Sequence, residues 1–175
     1  FDSGEIDAVI VASPTSTHAG LIAEAIEAKI PILCEKPIEV TLDDALAMRD
    51  VCEANNVKFM TAFPVRFAET PQQIKATLDK GDLGRIYGIN GINHSEIPLE
   101  HREWFSQKAL AGGGAVMDHT VHLVDAYRWF FDCEVTEVYA EVDNLFYPDQ
   151  VDVDTAGIVT LKLDNGIFAT VDCSW

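Results

Sequence analysis

The sequence predicts an α/β protein in two parts: half of a doubly wound parallel sheet, then an α+β region with a mainly antiparallel sheet. Three observations carry that prediction. Before residue 65, continuous apolar runs alternate with stripes at helical spacing, the pattern of strands joined by helical crossovers. Beyond the helix that carries Asp118 the apolar pattern changes to strict alternation. The turn Asp164-Asn165-Gly166 then joins two alternating runs, as in a β-hairpin.

The elements follow in order. Residues 7–12, apolar without a break after Asp7, are expected to form a parallel strand covered on both faces. Leu21, Ile22, Ala25 and Ile26 recur at helical spacing within 18–28, and 30–34 is a second strand. Thr41 is a suitable N-cap, Asp43 and Asp44 suit a helix's positive end, and Ala45, Met48, Val51 and Cys52 form the apolar stripe. Residues 58–63 make the third strand. Three such strands are expected to be parallel, with right-handed crossovers.

The period breaks after Pro64, which sets the domains at 1–65 and 66–175, the second one truncated. Thr70-Pro71 reads as N-cap and first helical position, Gly81 as the helix end, and 85–93 as a strand. The Gly112-Gly113-Gly114 turn opens a helix whose apolar side carries Val116, Leu123, Tyr127 and Phe130. Val138, Ala140 and Val142 alternate with Tyr139, Glu141 and Asp143, and Val159, Leu161 and Leu163 repeat the pattern. After the hairpin turn, Ile167, Ala169, Val171 and Cys173 share one face.

A chain of 175 residues, 48% hydrophobic, can bury a sizeable core. Its net charge of -17 repels phosphate backbones and supplies no basic stripe for nucleic acid. Solubility or adaptation to salt accounts for that acidity. No apolar run reaches the roughly 18 residues of a membrane helix. Cys34, Cys52, Cys133 and Cys173 lack C-x-x-C spacing, which favours reduced thiols and a cytoplasmic protein. The chain begins at Phe1, already close to a strand, as expected of an internal fragment.

Two polar clusters carry the chemistry. Glu35-Lys36-Pro37 ends the second strand, and Asp118, His122 and Asp125 fall at i, i+4 and i+7 of the helix after the triple glycine, sharing one face. Proline disfavours helical geometry at Lys36 and holds it extended at the strand's carboxyl end, where ligands of open α/β sheets bind. Lys36, Asp118 and His122 are candidates for one pocket. A histidine with an ordinary pKa of about 6.5 is suited to taking a proton, and a lysine to stabilising an oxyanion. His119 lies about a sixth of a turn round the helix from His122.

Four segments together resemble the Gfo/Idh/MocA family of nicotinamide-dependent sugar and polyol oxidoreductases. They are Ala12-Ser13-Pro14-Thr15-Ser16-Thr17-His18, Cys34-Glu35-Lys36-Pro37, Gly81-Asp82-Leu83-Gly84-Arg85-Ile86, and 112–118 with His122 and Asp125. The resemblance implies an NAD(P)-binding Rossmann domain entered near its fourth strand. The Gly-rich phosphate loop then lies outside the chain, which contains no G-x-G-x-x-G. It also implies NAD or NADP as cofactor, with Ser13, Pro14, Thr15, His18, Glu35, Lys36 and Pro37 near it. Lys36, Asp118 and His122 are implied as catalytic, and Asp118, His122, Arg66, His94 and Trp104 as contacts to a sugar, polyol or similar secondary alcohol.

Where many relatives carry an asparagine before a basic pair, this chain has Phe63-Pro64-Val65-Arg66-Phe67, which leaves the substrate open. Pairing of subunits through the open face of the C-terminal sheet, near Tyr139, Phe168 and Thr170, is a further implication. Without a phosphate loop, the chain alone is expected to bind NADH no tighter than millimolar, about 4 kcal/mol. Two alternatives stand beside the dehydrogenase: a non-catalytic ligand sensor on the same fold, and a metal-dependent hydrolase using Asp118, His119, His122 and Asp125.

Overall fold

A computed structural model describes residues 5–175. The chain divides into two compact units, one running to Ala62 and taking in Leu99–Gly112, the other made of Phe63–Pro98 and Gly113–Trp175.

In the first unit, β1 (Val9–Val11), β2 (Ile32–Glu35) and β3 (Phe59–Ala62) form a parallel sheet in that order. They are joined by α1 (His18–Glu27) and α2 (Leu42–Ala54). Thr41 caps α2, its side chain accepting from the Asp44 N–H. Val11, Ile32 and Cys34 pack with Ile22, Ala25 and Ile26 of α1 and with Met48 and Cys52 of α2. Successive right-handed crossovers in one direction put both helices on the same face. The other face is therefore open: Ile10 is 69% exposed and Met60 51%. The expected two-sided cover of the first strand is corrected accordingly. Val51, expected in the α2 stripe, is also exposed.

The second unit holds a four-stranded sheet in the order β4-β7-β6-β5, built from β4 (Gly88–His94), β5 (Val135–Asp143), β6 (Ala156–Leu163) and β7 (Phe168–Ser174). β4 lies parallel to β7, and the other two pairings are antiparallel. The β6–β7 hairpin turns at Gly166, whose φ of 85° is the left-handed conformation that glycine adopts without strain. Val159, Leu161, Leu163, Ala169, Val171 and Cys173 form one face of the core, packed with Tyr127, Val116, Leu123 and Val124 of α5 (Ala115–Phe131). β5 departs from the expected half-buried strand. As the sheet's edge it is exposed on both faces, and Val138, register partner of Leu161, is 64% exposed.

Two further α-helices are α3 (Glu69–Asp79) and α4 (Lys108–Ala111). α3 starts two positions earlier than Thr70-Pro71 suggests, with Ala68 as N-cap. Pro71 becomes its third residue, tolerated because N–H groups of a first turn have no intrahelical acceptor.

Candidate functional site

In the first unit the candidate residues gather at the carboxyl ends of β1 and β2. A 3-10 turn, Thr15–Thr17, leads from β1 into α1. His18, at the start of α1, is 1% exposed and bridges the two strand ends: Nε2 is 3.0 Å from the Ser13 carbonyl and Nδ1 3.0 Å from the Ile38 carbonyl. The Cys34 thiol lies 3.4 Å from the same Nδ1. Burial pushes that thiol up to about 12, with Glu39 and Glu35 adding to the effect, so it stays protonated. His18 thus sits buried between the two loops, within hydrogen-bond distance of a carbonyl in each, and its role is internal to the protein.

Ser13, Pro14, Glu35, Lys36 and Pro37 remain partly open around this latch. Thr15 is fully buried, and its Oγ1 has no hydrogen-bond partner among the described residues. One part-open hydroxyl, one carboxylate, one lysine and two prolines suit the amide end of a dinucleotide. They do not suit its pyrophosphate, which needs the backbone N–H nest of a glycine-rich turn.

The Lys36–Pro37 peptide is cis, and the Lys36 Nζ lies 5.6 Å from the centre of the Phe105 ring. Phe105 is buried, stacks at 4.1 Å on Trp104, and carries the Arg102 guanidinium 4.8 Å above it. These aromatic residues come from Leu99–Gly112, the segment that returns to the first unit. Phe105 escaped sequence reasoning, because it sits in a 3-10 turn with no periodicity to mark it. Its only signal was the aromatic pair beside Arg102.

In the second unit, α5 carries Asp118 in its first turn and His122 one turn further, both half-buried, with Asp125 almost fully buried beyond them. Arg66 approaches from the 3-10 turn Pro64–Phe67 and grips Asp125 with two bonds, Nε to Oδ2 at 2.8 Å and Nη2 to Oδ1 at 2.5 Å. That bond holds the guanidinium charged above its ordinary range. Arg66 is therefore a clamp on α5 rather than an open substrate contact. Asp125 serves that clamp, leaving Asp118 as the carboxylate one turn from His122.

His94 ends β4 on the face bearing Asn90 and Ile92, and its Nε2 is 2.9 Å from Asp172 Oδ1. The α5 side of β4 is the other one, where Gly91 approaches the Tyr127 hydroxyl so closely that a Cβ would collide with it. Strand parity thus removes His94 from the α5 side. His119 is buried, 3.1 Å from the Ser95 hydroxyl and 3.5 Å from Asp118 through the same nitrogen, Nε2. A nucleophile–base–acid relay needs opposite ring nitrogens, so this trio is no serine triad. Among the described residues no three His, Cys, Asp or Glu side chains gather in a way that could hold a metal ion, so the hydrolase alternative finds no ligand set. Nor, among them, is any helix long and apolar enough to cross a membrane.

Known proteins resemble the chain along nearly its whole length. Residues 1–63 match the family described as "Oxidoreductase family, NAD-binding Rossmann fold", and residues 72–175 the "GFO/IDH/MocA C-terminal domain". The oxidoreductase YrbE of Bacillus subtilis is 33% identical over 97% of this chain and 49% of its own length. Myo-inositol 2-dehydrogenase of Thermotoga maritima is 29% identical over 99% of this chain and 51% of its own. An NAD-binding protein from Listeria innocua superimposes with a TM-score of 0.84 at 30% identity, covering 98% of this chain and 48% of that one. The chain spans about half the length of the curated relatives it matches. With both family domains matched in order over these strands and helices, the chain belongs to the Gfo/Idh/MocA family of oxidoreductases.

Proposed function

We propose that the protein carrying this chain is an NAD(P)-dependent dehydrogenase that acts on a secondary alcohol of a sugar or polyol. The observation that carries the reading is the polar stripe of α5. Its opposite side packs on the second sheet, yet Asp118 and His122 stand one turn apart on a half-buried face. Similarity to enzymes named inositol and xylose dehydrogenases supports the substrate class.

Each residue has a definite task. His122 takes the hydroxyl proton as the carbon–hydrogen bond breaks, and Asp118 orients the ring and favours the charged imidazolium. Lys36 stabilises the alkoxide-like oxygen, its ammonium held against the Phe105 ring. Ser13, Pro14, Glu35 and Pro37 line the nicotinamide, and His18 fixes the loops that bear them. Trp104 offers an apolar plate to the substrate's carbon frame. When bound, the nicotinamide supplies the hydride acceptor. NAD and NADP are equal in this reading, since the residues placed near the cofactor line its nicotinamide and not the adenosine ribose at which the two differ.

The open face of the second sheet supports subunit pairing. Phe168, Tyr139, Ile158 and Ile92 expose apolar area there, each 56–64% accessible. A dimer or larger assembly is expected by light scattering, and a monomer at all concentrations would count against it.

The complete protein, assayed with NAD+ and NADP+ against a panel of inositols and aldoses, should reduce one cofactor with at least one secondary alcohol. No reduction across the panel with either cofactor would contradict the proposal.

A further inference from the structure

We propose that Asp154 is a positioning residue of this site, capping α5 from a distant loop and thereby fixing where Asp118 and His122 project. The inference rests on the roles given to those two residues above. A helix usually begins at a residue whose side chain accepts one of the first free N–H groups. The N-cap of α5 is Gly114, which has no side chain, and no cap bond forms there locally.

Asp154, 40 positions along the chain from Gly114, supplies what is missing. Its Oδ1 accepts from the Gly114 N–H at 2.8 Å, its Oδ2 from the Val116 N–H at 2.7 Å, and its backbone carbonyl from the Ala115 N–H at 3.0 Å. Three consecutive donors held by one residue determine both the position and the rotation of the first turn. Its negative charge also meets the positive end of the helix dipole. The fit is tight: a Cβ at Gly114 would overlap the Asp154 carbonyl. This explains why glycine stands there.

The clamp is braced from behind. Asn144 accepts from the Thr155 hydroxyl at 3.0 Å and donates to the Val151 carbonyl at 2.9 Å, tying the loop between β5 and β6 into a closed turn. Thr155 is fully buried, with its N–H on the Asp143 carbonyl and its own carbonyl accepting from Trp175. The Asp118 N–H makes an early bond of α5, to the Gly114 carbonyl at 3.0 Å, and His122 follows one turn on. A shift at residues 114–116 is therefore transmitted directly to both side chains.

The test compares wild type, Asp154→Ala, Asp154→Asn and His122→Ala in the complete protein, by hydrogen exchange of the peptide over 112–118 and by steady-state kinetics against pH. Asp154→Ala should speed exchange of that peptide about tenfold or more and leave β6 and β7 protected. It should lower kcat about tenfold to a hundredfold, shift the pH limb of kcat, and leave the cofactor's KM unchanged. Asp154→Asn, which keeps one acceptor oxygen, should fall between, and it carries the same reading if the alanine variant does not fold. Faster exchange with kcat and its pH profile unchanged would overturn the proposal, reducing Asp154 to a structural cap. Unchanged turnover in His122→Ala would instead remove the catalytic reading, and the positioning role with it.

Discussion

The two units hold their candidate residues by different means. At the ends of β1 and β2 the holding contacts are short: His18 reaches Ser13 within its own loop and Ile38 just past the next strand. On α5 they are long. Arg66 grips Asp125 from 59 positions away, Asp154 caps Gly114 from 40, and the Tyr127 hydroxyl donates to the Thr170 carbonyl from 43. Local contacts join neighbouring parts of the crossover unit, whereas the remote ones bring together distant parts of the second unit. The α5 stripe should therefore be sensitive to substitutions far from it in sequence, and the His18 latch should not, although the Lys36 ammonium also has a remote neighbour in the Phe105 ring.

The remote clamp gives the largest expected effect on stability. Asp125→Ala leaves Arg66 facing a buried space without its partner, and because that guanidinium is 34% exposed the loss should be about 2 to 3 kcal/mol, below the full cost of breaking a buried pair. Urea denaturation reads it as a lower midpoint at unchanged slope. A loss under about 0.5 kcal/mol would mean that the grip on α5 is not long-range. Gly114→Ala should cost about 1 to 3 kcal/mol, since its Cβ must displace the Asp154 carbonyl.

Alkaline pH separates the two regions. Burial holds the Cys34 thiol of the first unit and the Tyr127 hydroxyl of the second each up to about 12. Each folded value lies above the unfolded one, so the folded state keeps its proton longer. The stability from Cys34 is complete below pH 9.0 and that from Tyr127 below 10.0, and each is lost as pH rises toward 12. The urea midpoint should fall across that range, with Cys34→Ala flattening its early part and Tyr127→Phe its later part. Parallel curves for both variants and wild type would show that neither group is held as described.

The smallest effect is expected at the exposed pair Lys162–Glu137, 48% and 68% accessible. Lys162→Ala should change stability by less than about 0.5 kcal/mol.

The same contrast explains what the sequence made legible. The crossover strands, the Thr41 cap and the Asp164-Asn165-Gly166 hairpin depend on neighbours in the chain, so composition and period announce them. Lys36 and the Asp118–His122 stripe were found as motifs for the same reason. The Asp154 cap, the Arg66 clamp and the return of Leu99–Gly112 to the first unit are tertiary choices with no period. Strand parity was readable in principle: His94 shares its face with Asn90 and Ile92 once the strand is framed as Gly88–His94. Framing the run as 85–93 left His94 just beyond the strand and its face undefined.

The central claim is that Lys36 and His122 take part in the chemical step. Single-turnover reduction of NAD(P)+ by the complete protein, with the alcohol its wild type oxidises fastest, tests it most directly. Lys36→Ala and His122→Ala should each slow that step about a hundredfold or more, with cofactor affinity unchanged. A variant that reduces the cofactor at the wild-type rate would contradict the role given to that residue.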